Sequence, residues 1–333
     1  MKCTKDQHIH AGLKYHGDAV AKETLDPALV LLERVQNLLR DSSYTTTYKF
    51  ALLRALCDLA IELPDNTSNI ALQTIAERFI HLYWRQVQPF TPPNQDACLN
   101  IKQGSATILN LVQGYVRDCD GRISNAAHQN RMRNYARNVA AQLKRYVVPL
   151  LQGKNEFLYS WKPGQDSIQL FPGVLATLRR FHALLCDLID GAWTRWVERR
   201  NIQVRNSDAL RKHLFGFERE NIESVREPLI ELQRGLCFYS GEKLSRGERA
   251  NHIDHFIPWS LARHESLGNL VVCTSKVNLK WSDTLKPAKD RARWEVRNKK
   301  HSLRLQEIAH TNGLRWDPQA TLAVAQWAYA SAG

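Results

Sequence analysis

The stretch TTTYKFALLRALCDLAIELP, residues 45–64, constrains the fold of this chain more than any other segment. Apolar residues cover most faces of the helix that it would form, so that helix has to be buried on nearly all sides. Three threonines, Thr45 to Thr47, offer N-cap positions, and Pro64 ends the helix. The sequence therefore predicts a helical core packed around this segment.

Helical periodicity continues along most of the first 220 residues. Residues 155–170 are the exception, because FLYSW and SIQL flank a Pro-Gly turn and predict a β-hairpin. We predict a helical N-terminal domain over residues 1–220 that contains this hairpin. Its other helices are predicted at residues 25–39, 72–87, 101–116, 125–148, 172–200 and 207–217, with one more at 224–233 just beyond it.

The pattern changes after Gly235. The segment LCFYSGEKL is short and contains a glycine turn, which predicts a small β element, and HIDHFIPWS reads as a strand that runs into a loop. A short helix is predicted within residues 278–285, and basic helices follow Pro287. The predicted fold class is mainly α, with a small α+β unit near the C-terminus inside a second domain of residues 221–333.

The chain carries a formal net charge of +13, which favours association with polyanions. Residues 276–304 hold ten Lys or Arg against three acids. This basic run has two possible explanations. The first is a helix face exposed to solvent, and the second is a surface that contacts phosphates. Its position after an unusual polar segment favours the second explanation, and the candidate nucleic-acid contacts are Lys276, Lys280, Lys289, Arg291 and Arg293, with Arg297 in the same run.

Two whole-chain features concern the compartment. No apolar run approaches the roughly 18 residues that a membrane helix needs, and the first twenty residues have no apolar core. The seven cysteines are widely scattered, which argues against a disulfide framework, and Cys57 and Cys186 are interpreted as small buried hydrophobes. We predict a soluble, cytoplasmic protein with no membrane partner.

The unusual segment is NHIDHFIPWSLARHESLGNLVVCTSKVNLKWSD, residues 251–283, with three His, two Asp and three Asn. Carboxylate and amide oxygens such as those of Asp254 and Asn278 suit Mg²⁺ or Mn²⁺ better than zinc. His255 would point to the opposite side of an extended strand and be mostly neutral at pH 7, so it could accept a proton. A metal and a His base in basic surroundings suit phosphodiester hydrolysis.

This segment resembles the HNH (ββα-metal) endonucleases. The residues that carry the resemblance are Asp254-His255, Pro258, Asn269-Leu270, Asn278 and Lys280. Their layout is especially similar to the HNH domains of CRISPR effector nucleases, in which the last residue is also Asn. The resemblance covers about 50 of the 333 residues.

The resemblance implies a role for each matched residue. His255 would be the general base, Asn269 would brace the loop that orients it, and Asp254 and Asn278 would hold one divalent ion, Mg²⁺ or alternatively Mn²⁺. That ion would bridge the scissile phosphate, and Lys280 would face phosphate. The implied activity is hydrolysis of DNA to a 3′-hydroxyl and a 5′-phosphate.

The sequence departs from the pattern of many HNH nucleases at the structural zinc site. Many HNH nucleases hold a structural zinc with two Cys-x-x-Cys pairs, but here Ser240 and Lys276 stand where partners of Cys237 and Cys273 would be. We therefore expect no structural zinc and predict support by packing instead. The residues suited to that packing are Phe238, Phe256, Trp259, Val271 and Trp281.

Two further histidines flank the motif. His252 shares a strand face with Asp254, so it could lie beside the metal or the phosphate, or simply at the surface. His264 is predicted to be exposed in a loop.

The predicted activity is nicking, because a small HNH unit contacts about one strand. A helical region followed by an HNH unit also resembles stand-alone effectors of bacterial anti-phage systems, such as the nuclease of type II Zorya, and implies partners in a defence complex. Two alternatives stay open: a catalytically silent DNA-binding module, and an effector that a partner activates. The residues do not distinguish DNA from RNA, and the resemblance favours DNA.

Overall fold

The computed structural model describes residues 26–40, 45–91, 101–104, 107–119, 126–153, 155–201, 203–204, 207–215, 222–245, 251–264, 266–281 and 283–331. Helices dominate these residues, and the predicted fold class, mainly α with a small α+β unit, is confirmed. The N-terminal helices are α1 (Pro27–Arg40), α2 (Tyr48–Glu62), α3 (Leu72–Trp84), α4 (Thr107–Asp118), α5 (Ala126–Tyr146), α6 (Val174–Arg180), α7 (His182–Glu198) and α8 (Ser207–Phe215). The later helices are α9 (Arg226–Leu232), α10 (Trp259–Ala262), α11 (Ser275–Trp281), α12 (Ala288–Lys300), α13 (Ser302–Thr311) and α14 (Pro318–Ala330).

Helix α2 lies at the centre of the helical region, as its apolar sequence predicts. It packs against α3, α6 and α7 on the N-terminal side and against α14 from the far end of the chain. Phe50 on α2 stacks on Trp193 of α7 with a ring-centroid separation of 6.2 Å. Burial of apolar surface on several sides of one helix thus holds both ends of the chain together.

The single helix predicted over residues 172–200 is wrong. The chain leaves helical geometry at Phe181 (φ −108°, ψ 22°), which separates α6 from α7. In the last turn of α6, Arg179 donates hydrogen bonds to the carbonyls of Ala60 and Leu63 at the end of α2. These long-range contacts fix the direction of α6, and local periodicity does not encode them.

A small antiparallel sheet caps the helical region. Strands β2 (Tyr159–Ser160) and β3 (Ser167–Leu170) pair where the hairpin is predicted, and β1 (Asn69–Ala71) adds to the other edge of β3. The strand β1 is not predicted from the sequence. The expected domain boundary at residue 220 lies outside the described residues.

The C-terminal unit contains β4 (Asn251–His255) paired antiparallel with β5 (Leu270–Thr274), followed at once by α11. The β element predicted at LCFYSGEKL is an isolated bridge between Leu236 and Lys243. A second core forms around Phe256, Trp294 and Val324, and Ile61 from α2 joins it. The ββα unit is therefore packed onto the helical region through shared apolar contacts.

The described cysteines, Cys57, Cys119, Cys186, Cys237 and Cys273, are all buried and unbridged. Within the part of the chain that the structure describes, no helix has the length and apolar character needed to cross a membrane.

Candidate active site

The paired strands and the helix that follows them carry the predicted site residues. On β4, Asp254 lies opposite Val271 and the adjacent His255 lies opposite Leu270, so the two side chains leave opposite faces of the ribbon. Asn269 immediately precedes β5, and Asn278 lies on α11, which contacts both strands.

Asn278 lies close to Cys273 on β5. The Cys273 thiol lies 3.9 Å from Oδ1 of Asn278. Burial, and next the negative charge of Asp254, raise the pKa of this thiol.

Two residues that the sequence does not single out contact the Asp254 carboxylate. Tyr239 donates its hydroxyl hydrogen to Oδ2 over 2.7 Å, and Nζ of Lys286 lies 3.5 Å from the same oxygen. The Asp254 side chain is only 11% exposed, and burial raises its pKa although Lys286 and Tyr239 act in the opposite direction. Lys286 is one of ten basic residues in its run, and nothing local marks it as the one that is buried.

His255 is enclosed beside Trp259, with a ring-centroid separation of 5.4 Å. Burial, together with the positive charges of His264 and Lys286, lowers the pKa of His255 to about 4. The ring is therefore neutral at pH 7. His255 and Trp259 also line a cavity of about 170 Å³ that reaches Arg78 and His81 of the helical region.

Asn269 fixes the loop that follows His255. Its side chain is fully buried, accepts a hydrogen bond from the Ile257 amide at 2.7 Å and donates one to the Ile257 carbonyl at 3.0 Å. Its own carbonyl accepts from the Phe256 amide at 2.7 Å. These bonds tie the turn before β5 to the segment after β4.

Helix α12 holds the same turn from outside. The Gly268 carbonyl accepts hydrogen bonds from Trp294, Arg297 and Asn298 at 2.8 to 3.1 Å. Arg297 also donates to the Leu270 carbonyl over 2.7 Å. Its inclusion in the phosphate-contacting run is wrong, because its guanidinium is buried against backbone carbonyls.

The other candidate phosphate contacts fall into two groups. Lys276, Lys280 and Lys289 are exposed. Arg291 is paired with Glu295 at 2.8 Å, and Arg293 with Asp290 at 2.7 Å. The exposed lysines extend from the ββα unit to the first turn of α12.

The flanking histidines differ in their surroundings. His252 is exposed and lies opposite Cys273, on the strand face that also carries Asp254. The predicted exposure of His264 is wrong, because it is 4% exposed and its Nε2 lies 2.9 Å from the Thr321 hydroxyl. The α14 helix covers this loop, a contact between residues distant in sequence.

The donor set suits a hard divalent ion. One carboxylate and one amide oxygen are few protein ligands, which matches Mg²⁺ because that ion usually keeps several waters and substrate oxygens. Of the residues expected to support this unit by packing, Phe238, Phe256 and Val271 are buried and Phe256 stacks on Trp294 at 4.7 Å, whereas Trp259 and Trp281 are only partly buried.

Two family models match the chain. Residues 237–285 match an HNH endonuclease family, and residues 29–150 match a domain of unknown function, DUF8808. Comparisons with curated proteins and with solved structures find no match. The segment that matches the HNH endonuclease family contains Asp254, His255, Asn269 and Asn278, and it lies on the C-terminal side of the match to a domain of unknown function.

Proposed function

We propose that this protein is a metal-dependent endonuclease that hydrolyses DNA phosphodiester bonds. The observation that supports it most is the placement of Asp254, His255, Asn269 and Asn278 in one ββα unit, within the segment that matches the HNH endonuclease family.

The proposed mechanism assigns the proton transfer to His255. Its lowered pKa keeps the ring neutral, so the ring can take a proton from the attacking water. The bonds from Asn269 to Ile257 hold the adjoining loop and so make Asn269 a positioning residue. The products are a 3′-hydroxyl and a 5′-phosphate.

Asp254 and Asn278 would hold the ion, with Mg²⁺ as the first candidate and Mn²⁺ as a substitute. When bound, it would supply charge stabilisation to the scissile phosphate and the leaving oxygen. Lys276, Lys280 and Lys289 are exposed near this unit and would contact the DNA backbone.

We propose that the reaction is nicking, because the described residues contain one such ββα unit and one unit acts on one strand at a time.

The anti-phage role, and any defence-complex partner, stay predictions based on the outline of the chain. The presence of Asp254, His255 and Asn278 together favours catalysis over the silent DNA-binding alternative, because a module that only binds DNA needs none of the three.

The test is conversion of supercoiled plasmid to open circles with Mg²⁺, with Mn²⁺ and with EDTA, alongside a single-stranded RNA of matched length. We expect open circles only when the ion is present, and no RNA cleavage. Plasmid that is bound but never nicked would contradict the proposal and favour the DNA-binding module. Nicking that requires an added partner would identify a partner-activated effector.

A further inference from the structure

A second group of metal-ligand side chains lies in the helical region. Asp58 on α2 and His182 and Cys186 on α7 place one ligand atom each within 4.8 Å of one another. His182 and Cys186 are four residues apart and therefore share one face of α7. All three belong to the core between α2 and α7, and neither the HNH match nor the proposed nuclease mechanism involves them.

The distances within this group suit a metal ion. Nε2 of His182 lies 3.5 Å from the Cys186 sulfur and 3.6 Å from Oδ1 of Asp58. A tetrahedral zinc with bonds of about 2.0 to 2.3 Å separates neighbouring ligand atoms by roughly 3.4 to 3.6 Å. One imidazole nitrogen therefore faces a sulfur and a carboxylate oxygen at the spacing of tetrahedral vertices.

The chemistry of the group selects the ion. Sulfur, imidazole and a single carboxylate suit zinc, whereas the oxygen-only pair of Asp254 and Asn278 suits magnesium. We propose that Asp58, His182 and Cys186 bind a structural Zn²⁺ that joins α2 to α7.

Cys57 is the candidate fourth ligand, and its sulfur would have to turn toward the group, because among the described residues only Asp58, His182 and Cys186 place ligand atoms within 4.8 Å of one another. Structural zinc sites are closed and four-coordinate, so the three residues need one more donor. Cys57 neighbours Asp58 on α2 and is buried, and the neighbouring Cys186, followed by burial, raises the pKa of its thiol. It is the adjacent thiol that can complete the set.

The electrostatics of the site permit a buried dication. Ligands bind zinc in their deprotonated forms, so the ion replaces protons on the sulfur and imidazole groups and changes the net charge little. Arg54 also pairs with Asp58 at 3.0 Å, which balances the anionic ligands.

Burial argues against a Cys-His-Asp hydrolytic triad in this place. The His182 and Cys186 side chains are almost fully enclosed, and the Asp58 side chain is 14% exposed, so a macromolecular substrate has no access. The expectation that the chain lacks a structural zinc is argued from Cys237 and Cys273 in the ββα unit, and this site lies between α2 and α7.

The first experiment measures metal in the full chain, purified under reducing conditions, given one equivalent of Zn²⁺ and then exchanged against EGTA. We expect about one zinc per chain to be retained. With Co²⁺ in place of zinc, we expect thiolate-to-cobalt charge-transfer bands and the visible bands of tetrahedral cobalt. A native chain that retains no zinc and shows no charge transfer would overturn the proposal, whatever the variants do.

The variants locate the ion. We expect Cys186→Ser and His182→Gln to lose zinc, and Cys119→Ser, which changes a buried cysteine elsewhere in the helical region, to retain it. A double variant Asp254→Ala, Asn278→Ala should retain zinc, and its loss there would assign the ion to the other site and overturn the proposal. Retention by Cys57→Ser would overturn only the fourth-ligand assignment. If Cys186→Ser does not fold, the cobalt spectrum of the native chain tests whether a thiolate binds the ion, and His182→Gln tests where the ion lies.

Discussion

Nζ of Lys286 lies 3.5 Å from Oδ2 of Asp254, and the Lys286 side chain is completely buried. A buried ammonium is costly unless it is paired, so this carboxylate is its compensating charge. The same carboxylate is the proposed ligand of the divalent ion. The ion and Lys286 would therefore share one anionic partner, and each would affect how strongly the other is held.

Replacement of this lysine tests that relationship. Lys286→Met leaves Asp254 buried without a cation, so we expect the free energy of unfolding in EDTA to fall by about 3 kcal/mol. Mg²⁺ should restore part of the loss, because it supplies the missing positive charge. The measurement is urea unfolding of both proteins with and without Mg²⁺. If Mg²⁺ raises the free energy of unfolding equally in the native protein and in Lys286→Met, the ion and Lys286 do not share Asp254.

The two asparagines of the site should behave differently. Asn269→Ala leaves the buried amide and carbonyl of Ile257 without partners, so we expect a loss of about 2 kcal/mol in stability together with slower nicking. Asn278→Ala should abolish most nicking with little effect on stability. Thermal unfolding and plasmid nicking of the two variants check this, and a stable Asn269→Ala protein would show that the loop is held by other contacts.

The contact between the helical region and the active-site loop depends on Arg263, which directly follows α10. It pairs with the buried Asp190 and with Asp187 on α7. We expect Arg263→Ala to lower the free energy of unfolding by about 2 kcal/mol, and to slow nicking because the loop after His255 loses this anchor. Arg211 is the matched control, since it pairs with Asp187 at a more exposed position. Arg211→Ala should lower the free energy of unfolding by at most about 0.5 kcal/mol. If Arg211→Ala and Arg263→Ala lower it equally, Arg263 does not anchor the loop.

Acid should weaken the fold through His81. Burial and the positive charges of Arg315 and Arg78 lower the pKa of His81 to about 3. Below the ordinary pKa of about 6.5 the unfolded chain takes up this proton and the folded chain does not, so stability falls as the pH falls.

His81→Gln removes this effect. Below pH 6.5 the native stability should decline by about 1 kcal/mol per pH unit more than that of the variant. Urea unfolding at pH 7, 6 and 5 measures the difference, with His252→Gln as the exposed control. Parallel curves for native and His81→Gln would show that the ring takes up its proton over the same pH range in the folded and unfolded states, and would contradict the lowered pKa.

The sequence predicts the parts of this protein that depend on spacing along the chain. Apolar periodicity places α2 at the centre of the helical core, and the resemblance of Asp254, His255, Asn269 and Asn278 to the HNH motif locates the candidate site. Both signals are local, since helix faces and strand faces follow directly from residue spacing.

The parts that are not predicted depend on contacts between distant residues. Lys286 looks like its basic neighbours, and only the fold shows that its ammonium reaches Asp254. His264 is buried because α14 packs over it, and the grouping of Asp58 with His182 requires α2 to lie against α7. No local pattern encodes such proximity, because tertiary packing decides it.

The measurement that tests the account most directly is single-turnover nicking of plasmid at saturating Mg²⁺ by the native protein and by His255→Ala, with DNA binding measured on the same samples. The account predicts a rate at least about 100-fold lower in His255→Ala, with unchanged DNA affinity, because a general base contributes that much. A variant that nicks within about threefold of the native rate would contradict the assignment of His255 as the base.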